Sequence, residues 1–344
     1  MGGFEFVASV ATFIIVRNPK KNCLRKWAEI ASTAPSLRYR KRGVQNDCTL
    51  RSHYHAAPMT KRSLLHSILM LNLAMFCIAT SGPLGRAIDL VPVLAILWRA
   101  GLAFLLFILI LKWQQQPLRA QTSRDEWALL GGGVLIAVHW VTYFIALQLS
   151  SVAIGMLSLF TYPVLTAILE PLLLKTRFQW AHLLLGALTI LGIYFLVPEF
   201  DLANRQFQAI SWGLFSALAY ALRNILMKKQ VARYSGTLIM LYHMLAVFVV
   251  LSPAMLWYGT GDVLGQWPYL LALALITTAV GHTLFLRSFR SFSVTSASII
   301  SCVQPIYGII LGAIFLREFP EWSTYLGGAI ILSAVFIESL RVSR

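Results

Sequence analysis

The sequence predicts an all-α integral membrane protein whose ten transmembrane helices form two inverted five-helix repeats. Composition is the first observation: 58% of the 344 residues are hydrophobic, only 12% are charged, and the mean hydropathy is +0.71. A soluble domain carries about 25% charged residues, so this chain has too few to cover a water-facing surface. The other observations are a series of long apolar segments and an internal repeat. They exclude an ordinary soluble enzyme and a disordered protein.

Ten apolar segments follow one another from Leu64 onward and are joined by short connections. Each is close to the ~20 residues that a helix needs to cross a hydrocarbon core of about 30 Å. Helices are expected because they satisfy every backbone polar group within the segment. The predicted spans are residues 64–84, 90–111, 126–147, 151–174, 179–197, 208–227, 236–257, 267–286, 293–316 and 322–340.

Lysine and arginine are concentrated in alternate loops of this arrangement. With a cytoplasmic N-terminus, the inside loops and the C-terminus hold twelve basic residues, whereas the outside loops hold only Arg86, Arg205 and Arg317. The positive-inside rule then predicts a multi-pass protein of the cell (inner) membrane with both termini cytoplasmic. Since the lipid bilayer accounts for the net charge of +16, no nucleic-acid partner is expected.

The domain organisation follows from these spans. The N-terminal tail is basic and unpatterned, and we expect it to be disordered; residues 1–58 are either a leader or a segment upstream of a start at Met59. The four cysteines form no CxxC pair and no cluster with histidine, so neither a metal site nor a cofactor is expected. The predicted domains are the tail (1–62), the first repeat (63–197), an extracytoplasmic linker (198–207) and the second repeat (208–344), which ends in a short cytoplasmic C-terminus.

The internal repeat relates residues 146–196 to residues 288–338 without gaps, at an offset of 142. Five helices separate the copies, so the second copy is inverted in the membrane, as in many carriers. Pro163 and Pro305 match and fall near the middle of the fourth and ninth spans, where proline removes a backbone donor and kinks the helix. Such kinks either mark a substrate site or serve packing alone. Further matches are Ser151/Ser293, Trp180/Trp322 and Gly186/Gly328.

Two segments resemble the signature of the EamA-type drug/metabolite transporter superfamily: SVTSASIISCVQPIYGIILGAIFLREFPEWSTYLGGAIILSAV, and the earlier SVAIGMLSLFTYPVLTAILEPLLLKTRFQWAHLLLGALTILG. The segment ILWRAGLAFLLF is similar to the family's second helix. The resemblance covers roughly residues 62–341 and implies a ten-helix secondary carrier of small organic metabolites, often an exporter of amino acids or related compounds. One departure is that Glu318 follows Arg317 in the second copy, whereas Thr176 follows Lys175 in the first.

Ionisable residues inside the predicted spans are candidate functional groups because they are costly in lipid. Arg99 lies near the middle of the second span and either receives a carboxylate or phosphate of the substrate or forms an ion pair with Glu170. Glu170 is a candidate gate or proton site, or the partner of Arg99, Arg177 or Lys175. We expect Arg223 to reach the membrane interface. His139, His243 and His282 complete this set, and His243 stands near the repeat-related position of Arg99.

Aromatic and amide side chains form a second set of candidates near mid-depth. They are suited to an amphipathic solute, through stacking and hydrogen bonds, although each residue type is also common in packing. Gly308 and Gly312 form a GxxxG motif that serves packing, sliding between halves, or a homodimer contact. The predicted substrate pathway comprises Trp98, Arg99, His139, Tyr143, Tyr162, Tyr242, His243, Gln304 and Tyr307.

Together these features predict a secondary, non-ATP transporter. We expect it to export a small-molecule substrate, an amino acid or a related amphipathic or anionic compound, by alternating access; coupling to a proton is left open. The alternatives are an integral-membrane enzyme, or a channel or sensor without carrier activity. The sequence contains no HExxH, GxSxG or P-loop motif, which favours the carrier.

Overall fold

The computed structural model describes residues 61–175, 181–196, 201, 203–292 and 294–342. The predicted tail up to residue 60, with Met59, lies outside the described residues. The described chain contains ten helical segments, each at one of the ten predicted spans. They are α1 (Lys61–Ala79, then Ser81–Ala87), α2 (Pro92–Trp113), α3 (Ser123–Leu149), α4 (Val152–Leu159, then Tyr162–Leu174), α5 (Ala181–Leu196), α6 (Arg205–Arg233), α7 (Gly236–Leu251, continued to Tyr258), α8 (Val263–Ala272, Leu273–His282 and Thr283–Ser288), α9 (Val294–Ile300, Ser301–Val303 and Gln304–Leu316) and α10 (Trp322–Val342).

The helices have the surface of a protein immersed in lipid. Seven of the described segments, α1 to α4 and α6 to α8, are long and apolar enough to cross a membrane. Large aliphatic side chains such as Leu105, Leu109 and Ile190 are exposed on the outside of the bundle. Five exposed tryptophans lie near helix ends, where aromatic rings anchor a protein at the membrane interface: Trp113, Trp127, Trp257, Trp267 and Trp322. This confirms the predicted multi-pass membrane fold.

Local sequence explains where the helices start. Side-chain oxygens of Thr122, Ser151, Asn204, Ser235 and Asp262 accept hydrogen bonds from backbone N–H groups in the first turns of α3, α4, α6, α7 and α8. These N-caps satisfy donors that have no partner within the helix.

The repeat is visible in the backbone of α4 and α9. The second half of α4 begins at Tyr162 after a break, and that of α9 begins at Gln304 after a 3₁₀ turn. Both half-helices have proline in the first turn, where its missing N–H costs no hydrogen bond. They end at Lys175 and Arg317, which share a left-handed conformation with φ of 55° and 56°. Each pair is separated by the repeat offset of 142 residues.

Successive helices alternate in direction, so the bundle has two distinct ends. We call the end at which α1 begins the basic end, because its loops carry most of the lysine and arginine, and the opposite end the far end. In the core, α3 packs against α6 and α7, α2 against α7, and α5 against α10. At the α5–α10 crossing the backbones nearly touch, since a Cβ on Gly327 would lie 2.7 Å from the carbonyl oxygen of Gly192. The α4 segment is the most deeply buried of the seven long spans: 83% of its 18-residue apolar stretch is buried inside the bundle.

Candidate functional site

A small cavity lies in the middle of the bundle, between both repeats. Its volume is about 20 Å³, which is enough for one water molecule, so a solute requires it to widen. Aromatic and polar side chains dominate its wall. The lining residues are Ile78, Ser81, Arg99, His139, Trp140, Tyr143, Leu159, Phe160, Tyr220, His282 and Gln304.

Arg99 is the cationic group of this cavity and is only 1% exposed. Its Nε donates to Thr278 Oγ1 over 2.8 Å, and its guanidinium carbon lies 3.7 Å from the centroid of the Trp140 ring. Its Nη2 is buried without a hydrogen-bond partner. Among the described residues Arg99 has no ion-pair partner. The guanidinium is therefore fixed in position and keeps donor capacity for an anion.

Thr278 lies in an irregular stretch of α8, and this stretch places its hydroxyl next to Arg99. The stretch Leu273–His282 of α8 is π-helical, and the Thr278 hydroxyl donates to the carbonyl oxygen of Leu273, five residues earlier, over 2.9 Å. Such wide turns are frequent at functional sites. The sequence gives no sign of this turn, and Thr278 was therefore missed as a candidate.

Two histidines lie on the cavity wall. His139 Nδ1 is 2.7 Å from Ser216 Oγ, and the same hydroxyl donates to the His139 carbonyl oxygen; His139 must then donate through Nδ1. Its ring stacks on Tyr220 with a centroid distance of 4.3 Å. The His282 ring lies 5.2 Å from Trp140, and its Nδ1 is buried without a hydrogen-bond partner.

Arg223 does not reach the membrane interface, so that expectation is wrong. It is 0% exposed, because its helix face points towards α7 and not towards lipid. Nη1 donates to Asn224 Oδ1 over 2.9 Å, and Nη2 lies 3.2 Å from His243 Nδ1 and 3.7 Å from Met240 Sδ. Nε has no hydrogen-bond partner. Like Arg99, Arg223 has no ion-pair partner among the described residues.

The other predicted pathway residues divide into two groups. Tyr143 and Gln304 line the cavity, and Tyr162 is buried beside it, with its hydroxyl bonded to Ser301 and its ring 4.8 Å from Tyr220. Tyr307 instead packs edge-on against Phe76 at 5.7 Å.

Trp98 and Tyr242 do not line the cavity, in contrast to the prediction. Trp98 Nε1 donates to the carbonyl oxygen of Thr260 over 3.0 Å, at the far end. The Tyr242 hydroxyl donates to Glu126 over 2.8 Å and accepts from the Ala120 N–H over 3.1 Å, at the basic end. Each therefore anchors a helix near its start, because the neighbouring loop supplies a backbone partner there.

An ion pair lies at the far end. Arg86 at the end of α1 donates through Nε to Glu318 after α9, over 3.1 Å, and through Nη1 to the carbonyl oxygen of Gln148 over 3.2 Å. The other carboxylate oxygen of Glu318 accepts from the Val152 N–H, at 2.9 Å. Glu318 thereby joins the ends of α1 and α9 to the start of α4.

A second ion pair lies at the basic end. Lys228 near the end of α6 donates to Glu170 near the end of α4 over 2.9 Å. Lys228 is not among the partners Arg99, Arg177 and Lys175 that the sequence left open for Glu170. Arg99 bonds to Thr278 instead, and Arg177 lies outside the described residues. The basic partners Lys228 and Arg86 are separated by the repeat offset of 142, whereas the carboxylate partners are not, since the position that matches Glu318 is Thr176. The two ion pairs therefore lie at opposite ends with related cations and unrelated carboxylates.

Further bonds hold the loops of the basic end. Arg233 donates to Asp125 over 2.7 Å, and the Tyr234 hydroxyl donates to the other carboxylate oxygen, also over 2.7 Å. Burial and this carboxylate raise the pKa of Tyr234. Arg290 donates to the carbonyl oxygens of Val231 and Tyr234, which completes the C-terminus of α6.

An inverted helix bundle around a central buried site is the architecture of a secondary membrane transporter. Residues 65–197 and 207–340 each match the EamA-like transporter family, and the chain belongs to that family. An uncharacterized transporter of Archaeoglobus fulgidus is 28% identical over 62% of this chain and 77% of its own length. An uncharacterized transporter of Synechocystis is 26% identical over 85% of this chain and 93% of its own length.

The pseudopaline exporter CntI of Pseudomonas aeruginosa is 24% identical over 70% of this chain and 83% of its own length. A protein with a known crystal structure shares the fold, with a TM-score of 0.62 and 14% identity, over 81% of this chain and 98% of that one.

Proposed function

We propose that this EamA-type membrane transporter is a secondary exporter of small organic anions, such as deprotonated carboxylic acids, that works by alternating access in the inner membrane. Arg99 carries the proposal: it is a buried guanidinium at the centre of the bundle, with an unpartnered Nη2 and no ion-pair partner among the described residues. A charge in the membrane interior is costly unless something neutralises it. An anionic solute supplies that charge during transport.

The two ion pairs at opposite ends of the bundle support alternating access. Breaking Arg86–Glu318 frees the far end of α1 from α9 and the start of α4, and breaking Lys228–Glu170 frees the basic end of α6 from α4. In an inverted repeat, opening one end while the other stays closed is a rocking motion about the central site. With both pairs formed, the cavity holds about 20 Å³, which supports assigning this conformation to a state that is open at neither end.

The direction of transport is proposed from a relative. The pseudopaline exporter of Pseudomonas aeruginosa aligns with 70% of the chain, and we extend the export direction, but not its solute, to this protein. We further propose that both termini are cytoplasmic, because the basic loops lie on the side where α1 begins.

The test is efflux from cells that express the protein and are loaded with a radiolabelled monocarboxylate or dicarboxylate. We expect efflux to saturate with internal concentration and to fall at least tenfold in Arg99→Gln. Arg205→Gln is the matched control, because Arg205 is an exposed arginine at the start of α6, and it should export normally. Equal efflux from Arg99→Gln and the wild type would contradict the anion site. Flux that rises without saturation would indicate a channel instead.

A further inference from the structure

Unpartnered hydrogen-bond donors form two groups in the centre of the bundle, not one. The first faces the cavity and contains the donor Arg99 Nη2, with two further unpartnered polar atoms, His282 Nδ1 and the Tyr143 hydroxyl, on the same wall. The second lies between α6 and α7 and consists of Arg223 Nε, Asn224 Nδ2 and His243 Nε2. A buried polar group without a partner is destabilising, so two such groups indicate two places for acceptors.

The hydrogen bonds show which atoms of the second group are donors. His243 Nδ1 accepts from the Arg223 guanidinium, so the neutral His243 ring carries its proton on Nε2, which is a donor. Asn224 accepts from Arg223 through Oδ1, which leaves its amide nitrogen as the free atom. All three unpartnered atoms of this group are therefore donors, and an acceptor is required to satisfy them.

The charges at mid-depth are not balanced by the protein. Arg99 and Arg223 are both buried, and neither has an ion-pair partner among the described residues. The described carboxylates lie in loops or within a few turns of helix ends, away from the cavity wall. They are Asp89, Asp125, Glu126, Glu170, Asp201, Asp262, Glu318 and Glu321. Two buried cations thus lack a counter-charge from the described carboxylates.

The two groups are close enough to act on one solute. Arg99 lines the cavity, and Arg223 follows the cavity residue Tyr220 by one helical turn. Both guanidiniums interact electrostatically with His139 and His282. The rings of His139 and Tyr220 on the cavity wall are stacked, with centroids 4.3 Å apart. We expect a solute that reaches both groups to displace these two rings.

We propose, building on the function proposed above, that the solute carries two anionic groups: Arg99 binds one, and Arg223, with Asn224 and His243, binds the other. A dicarboxylate satisfies the donors of both groups and neutralises both cations. Its carbon chain then lies between Trp140 and Tyr220. Arg223 is thereby the residue that distinguishes a dianion from a monoanion.

The experiment compares succinate with monomethyl succinate, which has nearly the same length but one charge fewer. Binding to the purified full-length protein is measured from the increase in melting temperature with ligand concentration. We expect succinate to bind the wild type at least tenfold more tightly. In Arg223→Gln this ratio should fall to about one, with the affinity for monomethyl succinate changed less than threefold. In Arg99→Gln both ligands should bind at least tenfold more weakly.

Arg223→Lys retains the charge, so it should retain most of the preference for succinate, and it also serves if Arg223→Gln fails to fold. Arg205→Gln should bind both ligands as the wild type does. Two results would overturn the second anion site. One is a preference for succinate that persists in Arg223→Gln, and the other is a preference that is lost equally in Arg223→Lys and Arg205→Gln. If the wild type binds and exports both ligands equally, the dianion proposal fails while the proposed function stands. If it neither binds nor exports any anion, the proposed function fails as well.

Discussion

The ends of the two repeats resemble each other closely, whereas their centres do not. At the ends, Lys175 and Arg317 terminate their helices in the same left-handed conformation, and Arg86 and Lys228 form ion pairs from related positions. At the centre, Arg99 of α2 opens on the cavity, while the related position in α7 is His243, which contacts a second arginine. The helix α8 is π-helical in its middle, whereas α3 is regular throughout.

This difference separates two requirements on the sequence. In the alternating-access mechanism proposed above, helix ends and close crossings determine how the halves move, and an exchange between two symmetric states requires them to be alike. In the proposed mechanism the centre binds one solute in both states, and that solute has no reason to be symmetric. Symmetric ends with an asymmetric centre therefore suit a carrier of a solute with two different ends or two separate charges.

The largest expected effect concerns the scaffold. Gly327→Ala introduces a Cβ 2.7 Å from the backbone oxygen of Gly192, and a backbone atom cannot move aside as a flexible side chain does. We expect a destabilisation of about 2–3 kcal/mol. Gly131→Ala is the control, since its Cβ would meet nothing within 4 Å, and alanine is favoured over glycine within a helix.

The measurement is thermal unfolding in detergent, which is monitored through the reaction of a thiol dye with Cys77 as this buried cysteine becomes exposed. Gly327→Ala should unfold at a clearly lower temperature than the wild type and Gly131→Ala at the same or a higher one. Equal melting temperatures for the two variants would show that the α5–α10 contact is not a close one in the membrane protein.

These contacts also show what the sequence can and cannot predict. The ten spans can be predicted because lipid requires long apolar helices. The inverted repeat can be predicted because proline and tryptophan recur at one offset. Arg99, His139, Tyr143 and Gln304 were predicted at the centre and line the cavity. Tyr220 was missed because, in a helix of moderate polarity, the sequence does not show whether a tyrosine faces lipid or the centre of the bundle.

The same limit explains the error at Arg223. Its distance from the helix end suggested an interfacial side chain, but only the packing of α6 on α7 decides whether that face meets lipid or protein. Thr278 depends on a wide helical turn that no residue in the sequence marks. Orientation about a helix axis and local helix geometry are tertiary properties, whereas length and hydropathy are local ones.

The next effect tests the asymmetric centre. Thr278→Val removes the acceptor of Arg99 Nε while conserving the side-chain volume. Hydrogen bonds to charged groups contribute about 1.5–3 kcal/mol, so we expect anion affinity to fall about tenfold or more. Thr278→Ser keeps the hydroxyl and should restore most of it.

Thr277→Val is the neighbouring control, because the Thr277 hydroxyl contacts Thr80 and not Arg99. Its affinity for succinate should stay within about twofold of the wild type. Affinity lost equally in the two valine variants would mean that the whole helical stretch, and not the Arg99 contact, sets the affinity.

A smaller effect tests the symmetric ends. Glu318→Gln and Glu170→Gln each remove the charge of one ion pair, and we expect each to raise the population of the state open at its own end by about fivefold, equivalent to ~1 kcal/mol. The reporter is Ser81→Cys on the cavity wall, in a protein without its four native cysteines. It is labelled with a membrane-impermeant maleimide added to one side of the membrane at a time.

Glu318→Gln should accelerate labelling from the far side, and Glu170→Gln labelling from the basic side. Glu321→Gln is the control, because Glu321 is exposed at the far end. Faster labelling from the same side in both Glu318→Gln and Glu170→Gln would contradict their roles at opposite ends.

The smallest effect separates anchoring residues from pathway residues. Trp98 and Tyr242 occupy related positions, and each bonds to the backbone of a loop at its own end of the bundle, Trp98 to Thr260 and Tyr242 to Ala120. Trp98→Phe and Tyr242→Phe remove these bonds and keep an aromatic ring, so each should destabilise the fold by about 0.5–1.5 kcal/mol. The affinity for succinate should stay within about twofold in both, because neither side chain lines the cavity. A tenfold loss of affinity in either variant, without a change in melting temperature, would show that this residue contacts the solute. The site would then extend from the centre towards that end.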